Sequence, residues 1–286
     1  MHDVGVRLPG GRRERVVLRR YIPEHGGGEP ADARREYRTL EVLTAHGVPV
    51  PRPLLLDAEG ATFGTPAMLM SRLRGRPRTT GGRDPGAWLA GLAGALAHVH
   101  RLTPRTADLT HLRPRARRHL LSPFGAGPGA VDSRDGRLER IERLLHERLD
   151  ALAPAPPALV HNDYFTGNVV WNRGRVSGVV DWHGAIVGDP REDVAEIRID
   201  LAIGHGLAVA DAFAEAYAAA VARPPRELWW FDLFRAQRAL RWYREWIPGL
   251  HDLGMTHVSA TLAGRRLRAF VDRALAEGAG AAARRR

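Results

Sequence analysis

The sequence predicts an α+β chain in two lobes, a small antiparallel-sheet lobe followed by a larger, mainly helical one. Three observations carry this. Up to residue 73 the local patterns run strand, strand, helix, strand, strand. Beyond "RGRPRTTGGRDPG" long apolar stripes of helical period take over. Set into that helical part are short strands, "ALVHND", "NVVWN" and "SGVVDW", which place polar residues at their ends.

Taken in order, "DVGVRL", a "PGGR" turn and "RVVLRRYI" read as a hairpin, with apolar alternation interrupted by glycine and proline. From about Ala31 to His46 the spacing of Tyr37, Leu40 and Leu43 is helical, and Gly47 stands where a C-terminal cap belongs. "VPVPRPLLLDAEG" is held extended by its prolines before becoming a strand, and "TPAMLMSRL" is another. Residues 87–102 are expected to be helical, with Leu89, Leu92, Leu96 and Val99 on one face. Residues 136–152 read as a charged amphipathic helix, and "VVWN-RGRV-SGVVDW" as a hairpin. Asp189, Pro190 and Glu192 suggest a capping box at the start of the next helix, with Asp189 and Asp193 structural. From Asp193 to Glu277 the chain is expected to be largely helical, and the tail 278–286 disordered. The expected division is therefore residues 1–73 and residues 74–286.

Composition narrows the function. The net charge of +11 invites a nucleic-acid reading, but all 43 basic residues are arginine and they are interspersed with Asp and Glu on helix faces. Nucleic acid is not expected as a partner. No apolar run reaches membrane-span length and the N-terminus has no apolar signal core, so a cytoplasmic chain without membrane contact is expected. With no cysteine, disulfides, thiolate metal sites and cysteine nucleophiles are excluded.

The chemistry concentrates in "HNDYFTGN" and "VVDW". Asp181 ends the second strand of the hairpin, and the loop before it can bring Asn168 close, with Gly167 easing the turn. An amide oxygen and a carboxylate suit Mg²⁺, which shares its remaining positions with waters and substrate phosphates. Asp163, a little apart, is free to accept a proton from an attacking hydroxyl. One carboxylate for metal, one for base and an amide make the set phosphoryl transfer requires.

The pattern His-x-Asp-x-x-x-x-Asn followed by Asp-Trp resembles the catalytic segment of the aminoglycoside phosphotransferase family, the small-molecule branch of the protein-kinase-like fold. The resemblance implies Asp163 as catalytic base, Asn168 and Asp181 as magnesium ligands, and His161 as the residue that supports the loop. It implies a nucleotide site in the first lobe. Arg19 in "RVVLRRY" stands where the family places its phosphate-binding basic residue, Glu36 resembles the helix glutamate that pairs with it, and alternation sends Arg20 the other way. "AMLMSRLRG" resembles the hinge strand, with Met70 lining the adenine pocket and backbone groups of Ser71 and Leu73 contacting the base. The implied reaction is Mg²⁺- and ATP-dependent transfer of the γ-phosphate to a hydroxyl of a small molecule, an aminoglycoside-like compound, amino-alcohol or sugar. The acceptor and the oligomeric state are not specified by the sequence.

Two departures stand out. Only residues 1–11 precede the arginine-rich strand, so the N-lobe is expected to lack the family's first strand and nucleotide-covering loop. His183 occupies a position where the family often has Glu. Two other readings follow: a nucleotide-binding degenerate kinase without turnover, or a metal-dependent hydrolase using His161, Asp163, Asp181 and His183. The aromatic run "LWWFDLFRAQRALRWYREW" reads as core packing, with an aromatic wall of the acceptor site as the alternative. Glu196, Asp200, Glu245 and Asp252 are candidates for an acidic acceptor cleft.

Overall fold

A computed structural model describes residues 1–7, 10, 11, 13–22, 28–116, 120, 121 and 136–283. The expected loop Gly26–Gly28 lies outside these residues except for Gly28. The N-terminal part is a four-stranded antiparallel sheet in the order β1-β2-β4-β3, built from β1 (His2–Arg7), β2 (Arg13–Arg20), β3 (Pro53–Asp57) and β4 (Ala67–Ser71). Helix α1 (Pro30–Ala45) crosses between β2 and β3. Its buried stripe includes Ala33, Glu36, Leu40 and Leu43, so Glu36 occupies an inward position of an otherwise apolar face. The helix ends in a Schellman arrangement. The N–H groups of Gly47 and Val48 donate to the carbonyls of Thr44 and Leu43 at 3.1 and 3.0 Å, and Gly47 takes a φ of 72° that glycine adopts without steric cost.

The chain leaves the sheet after Ser71 through β5 (Arg76–Pro77) and enters a lobe whose described residues form six α-helices: α2 (Pro85–His100), α3 (Arg137–Arg148), α4 (Arg191–His205), α5 (Leu207–Ala220), α6 (Leu228–Asp252) and α7 (Ala260–Ala283). Asp84 caps α2 by accepting the Ala87 N–H at 2.8 Å. Leu89, Leu92, Leu96 and Val99 are all buried, as their spacing requires. Between α3 and α4 lie β6 (Ala158–Val160), β7 (Val169–Asn172), β8 (Arg175–Val179) and β9 (Ile186–Gly188). The ladder β5-β7-β8 carries the expected hairpin, and β6 pairs with β9, a strand the sequence reading did not separate.

Helix α4 runs through the middle of the lobe. Twelve of its 15 residues are buried, and each charge it buries carries a partner, as burial demands. Asp232 receives Arg198 at 3.1 Å, and Glu192 receives Arg235 at 3.1 Å as well as Arg115. This corrects the expected capping box. Asp189 does accept the Arg191 N–H at 3.0 Å, but Glu192 turns into the interior instead of back to the helix start, because two buried guanidinium groups need its carboxylate. The disorder expected over 278–286 is corrected for residues 278–283, where α7 continues to Ala283; residues 284–286 lie outside the described residues. No helix among the described residues is long and apolar enough to cross a membrane.

Candidate active site

The polar residues of the 161–168 loop are positioned from three directions. His161 is fully buried. Its Nε2–H donates to the Val180 carbonyl at 2.9 Å and its Nδ1 accepts the Asp163 N–H at 3.3 Å, a pairing that assigns the neutral Nε2–H tautomer. The ring lies 4.5 Å from Trp182. His161 therefore ties the loop to the chain just before Asp181. From behind, Asp193 accepts the N–H groups of His161 and Asn162, both at 2.7 Å, and contacts His100 Nε2 at 3.2 Å. Burial raises the Asp193 pKa, but the hydrogen bond from His100, with the Arg235 charge, outweighs it and holds the group below the usual carboxylate range. From α6, Arg235 donates to Asn162 Oδ1 at 2.8 Å, supporting a residue whose φ is 71°.

The loop then brings Asn168 to Asp163. Asn168 Nδ2 donates to the Asp163 carbonyl at 2.9 Å and to its carboxylate at 3.2 Å. With the amide nitrogen so directed, Asn168 Oδ1 faces away from Asp163. The Val180 N–H donates to the Asn168 carbonyl at 2.9 Å, which places Asn168 beside the strand end carrying Asp181. Gly167 is required here by close approach. A Cβ there would lie 2.4 Å from the Phe165 ring and 2.8 Å from Leu253 Cδ1. Thr166 anchors the turn through its N–H and hydroxyl on Asp200, at 3.1 and 2.8 Å.

Asp181, at φ 68°, faces the N-terminal sheet. Its Oδ1 contacts Arg19 Nη1 at 2.6 Å and His183 Nδ1 at 2.8 Å. Burial works to raise its pKa, yet His183 and Arg19 together depress it well below the usual range. The same contact raises His183 above the ordinary imidazole value. Arg19 Nε reaches Glu36 Oε2 at 3.0 Å, while Tyr21 donates its hydroxyl to that oxygen at 2.8 Å and lies 5.4 Å under the guanidinium. Burial pushes Glu36 up despite Arg19 and Tyr21. Arg20 is exposed, as strand alternation anticipates. One guanidinium thus links β2, α1 and Asp181, just beyond β8. Tyr21 was not singled out from the sequence, although two residues along a strand from Arg19 it shares the same face.

In the hinge segment Met70 is buried. The Ser71 N–H donates to the Arg52 carbonyl at 2.8 Å. That N–H is therefore already bonded within the protein. Leu73 packs against Gly178, where a Cβ would stand 2.5 Å from Leu73 Cδ1.

On the other side of Asp163 a cavity of about 380 Å³ opens, lined by Asp163, Phe165, Glu196, Asp200, Arg238, Glu245 and Trp246 among others. Three of the four candidate acidic residues meet there, and Asp252 does not. Burial raises the pKa values of Glu196 and Asp200. Arg238 Nη1 lies 3.7 Å from both Asp163 Oδ1 and Glu196 Oε1, with its guanidinium 5.6 Å from the Trp246 ring. The aromatic run divides: Trp229, Phe231 and Phe234 are buried in the lobe, whereas Trp246 reaches the cavity.

Among the described residues no group of three or more His, Asp or Glu is arranged to hold a metal ion. The four-ligand hydrolase set fails for a specific reason, because both ring nitrogens of His161 are already bonded, one to the Val180 carbonyl and one to the Asp163 N–H.

A sequence profile of the phosphotransferase enzyme family matches residues 5–229. The viomycin phosphotransferase of Streptomyces vinaceus is 48% identical over 67 residues, a stretch covering 22% of this chain and 23% of that relative. The match thus spans less than a quarter of the relative's length. A Ralstonia eutropha protein assigned to the aminoglycoside phosphotransferases superposes with a TM-score of 0.66 at 18% identity, over 96% of this chain and 88% of that one. A thermostable aminoglycoside phosphotransferase variant, APH(4)-Ia, crystallised with ADP and hygromycin B, superposes with a TM-score of 0.58 at 18% identity, over 93% and 88% of the two chains.

Proposed function

Since the chain belongs to the phosphotransferase enzyme family, we propose that it transfers the γ-phosphate of ATP to a hydroxyl of a small, amine-bearing molecule. The observation that carries this reading is the position of Asp163. Its carboxylate is held by Asn168 on one side and forms part of the acidic cavity on the other. A hydroxyl entering from that cavity meets Asp163 Oδ atoms able to orient it and accept its proton.

Asn168 and Asp181 would hold Mg²⁺, which supplies charge neutralisation at the phosphates when bound. Arg19, kept in place by Glu36 and Tyr21, offers its guanidinium to the α/β-phosphates, taking oxygen contacts now made by Asp181. Met70 lines the adenine site, and with the Ser71 N–H committed the base contacts fall to the Ser71 carbonyl and the Leu73 backbone. In this reading residues 1–73 form the nucleotide lobe and 74–286 the acceptor lobe, and the enzyme works in the cytoplasm, where ATP is supplied. Glu196, Asp200 and Glu245 favour an acceptor carrying ammonium groups, and the Trp246 face adds a cation–π surface.

The test is ADP release from Mg·ATP over a panel containing viomycin, hygromycin B, homoserine and simple amino-alcohols. At least one amine-bearing alcohol should stimulate release. Asp163→Asn should lower turnover by about 10²–10⁴-fold while ATP still stabilises the protein against heat. Undiminished turnover in that variant removes Asp163 as the base. ATP binding with no acceptor-stimulated release leaves a nucleotide-binding protein without turnover.

A further inference from the structure

A second cavity, of about 570 Å³, opens behind the 161–168 loop and shares no lining residue with the one beside Asp163. Its volume falls within the roughly 300–1,000 Å³ usual for small-molecule sites. It lies where the end of α2, the segment entering β6, the start of α4 and the α5–α6 connection converge. Its charged lining is one-sided: Arg101, Arg191, Arg223 and Arg226, with no Asp or Glu. Arg191 is committed to Asp189 and to the carbonyls of Arg226 and Ala153. The side chains of Arg101, Arg223 and Arg226 are exposed and have no ion-pair partner among the described residues. The apolar lining is flat, with five prolines (154, 156, 190, 224 and 225) and the edge of Tyr217.

The floor of this cavity is connected to the loop carrying Asp163. Tyr217 donates its hydroxyl to His100 Nδ1 at 2.7 Å, His100 Nε2 contacts Asp193 at 3.2 Å, and Asp193 accepts the His161 and Asn162 N–H groups. Two of these residues, His100 and Tyr217, are cavity walls.

We propose that this cavity is a binding site for a small organic anion, a carboxylate or phosphate on a flat apolar body. Arg101, Arg223 and Arg226 hold the anionic group, and the proline faces and Tyr217 pack against the ring. A ligand there braces His100 and, through Asp193, the backbone of His161 and Asn162. Its presence should therefore slow hydrogen exchange at those two amides.

The experiment is calorimetric titration of the full chain with phenyl phosphate, with inorganic phosphate as the charge-only control, in the absence and presence of Mg·ATP. Phenyl phosphate should bind saturably, at least about tenfold more tightly than inorganic phosphate, equally well with ATP present, and with slower exchange at His161 and Asn162. The triple variant Arg101→Ala, Arg223→Ala, Arg226→Ala should weaken binding at least about tenfold. Ala220→Phe, which fills the cavity without changing charge, should abolish binding and decides the matter if the triple variant does not fold. The proposal is overturned by absence of saturable binding, by equal binding of inorganic phosphate, by loss of binding on adding ATP, or by binding in Ala220→Phe that matches the unaltered chain.

Discussion

On the Arg19 side of the cleft, a single guanidinium stands between Glu36 and Asp181, with Tyr21 and His183 completing the set. On the Asp163 side, Asp163, Glu196, Asp200 and Glu245 line one cavity whose guanidinium, Arg238, approaches two of them no closer than 3.7 Å. The first wall is internally compensated: each charge is met by an opposite one from a different element. The second is acidic in excess. In the proposed function the compensated wall is preorganised for a ligand of constant charge such as a triphosphate. The acidic wall would be completed by a cation brought by the acceptor, and specificity would reside there. Burial acts on both walls, raising Glu36 on the first and Glu196 and Asp200 on the second, while His183 and Arg19 hold Asp181 down.

The comparison breaks most visibly at Arg19. Arg19→Met leaves buried Glu36 and its neighbour Asp181 without their shared cation. It should cost about 3–5 kcal/mol of stability, the range for removing one partner of a buried pair, and abolish stabilisation by ATP. Denaturant midpoints with and without nucleotide measure both, and an unchanged midpoint would show that the wall is not compensated by Arg19. Next in size is Glu196→Gln. Loss of one charged contact to an ammonium group should weaken an amine-bearing acceptor by about 1.5–3 kcal/mol, on the order of 10–100-fold in KM, with the KM for ATP unaltered. Parallel shifts in both constants would mean that the two walls are not independent. The smallest effect belongs to Tyr21→Phe, which removes one hydrogen bond to Glu36. A loss of about 1 kcal/mol in stability and a rise in KM for ATP of less than about tenfold are expected, and no change in either would leave Arg19 as the only residue holding Glu36.

Much of this was legible in the residues themselves. The apolar stripe of α2, the glycine ending α1 and the alternation separating Arg19 from Arg20 depend on neighbours a few positions away, and the structure reproduces all three. The approach of Asn168 to the strand end that carries Asp181 follows from a short hairpin. What was missed involves partners far along the chain. Asp193 looked like a helix-start residue, yet it braces a loop 31 and 32 positions away. Arg235 and Arg238 sit among the core aromatics of α6 and reach loop residues on the other side of α4. Glu192 had the spacing of a capping box and was drawn into the interior by Arg115 and Arg235. The Ser71 N–H is taken by the carbonyl of Arg52, the residue before β3.

From its sequence alone this protein had its two-part α+β organisation, its strand and helix order, and the set of carboxylate, amide and imidazole residues that its family uses. Those properties arise from short-range periodicity and spacing, which hold before any long-range contact forms. The tertiary structure decided which charge meets which. It set Arg19 between Glu36 and Asp181, gathered four carboxylates and Trp246 around one cavity, and backed the 161–168 loop with Asp193. The reason is that a buried charge takes whichever opposite charge packing brings within reach, and sequence separation carries almost no information about that choice.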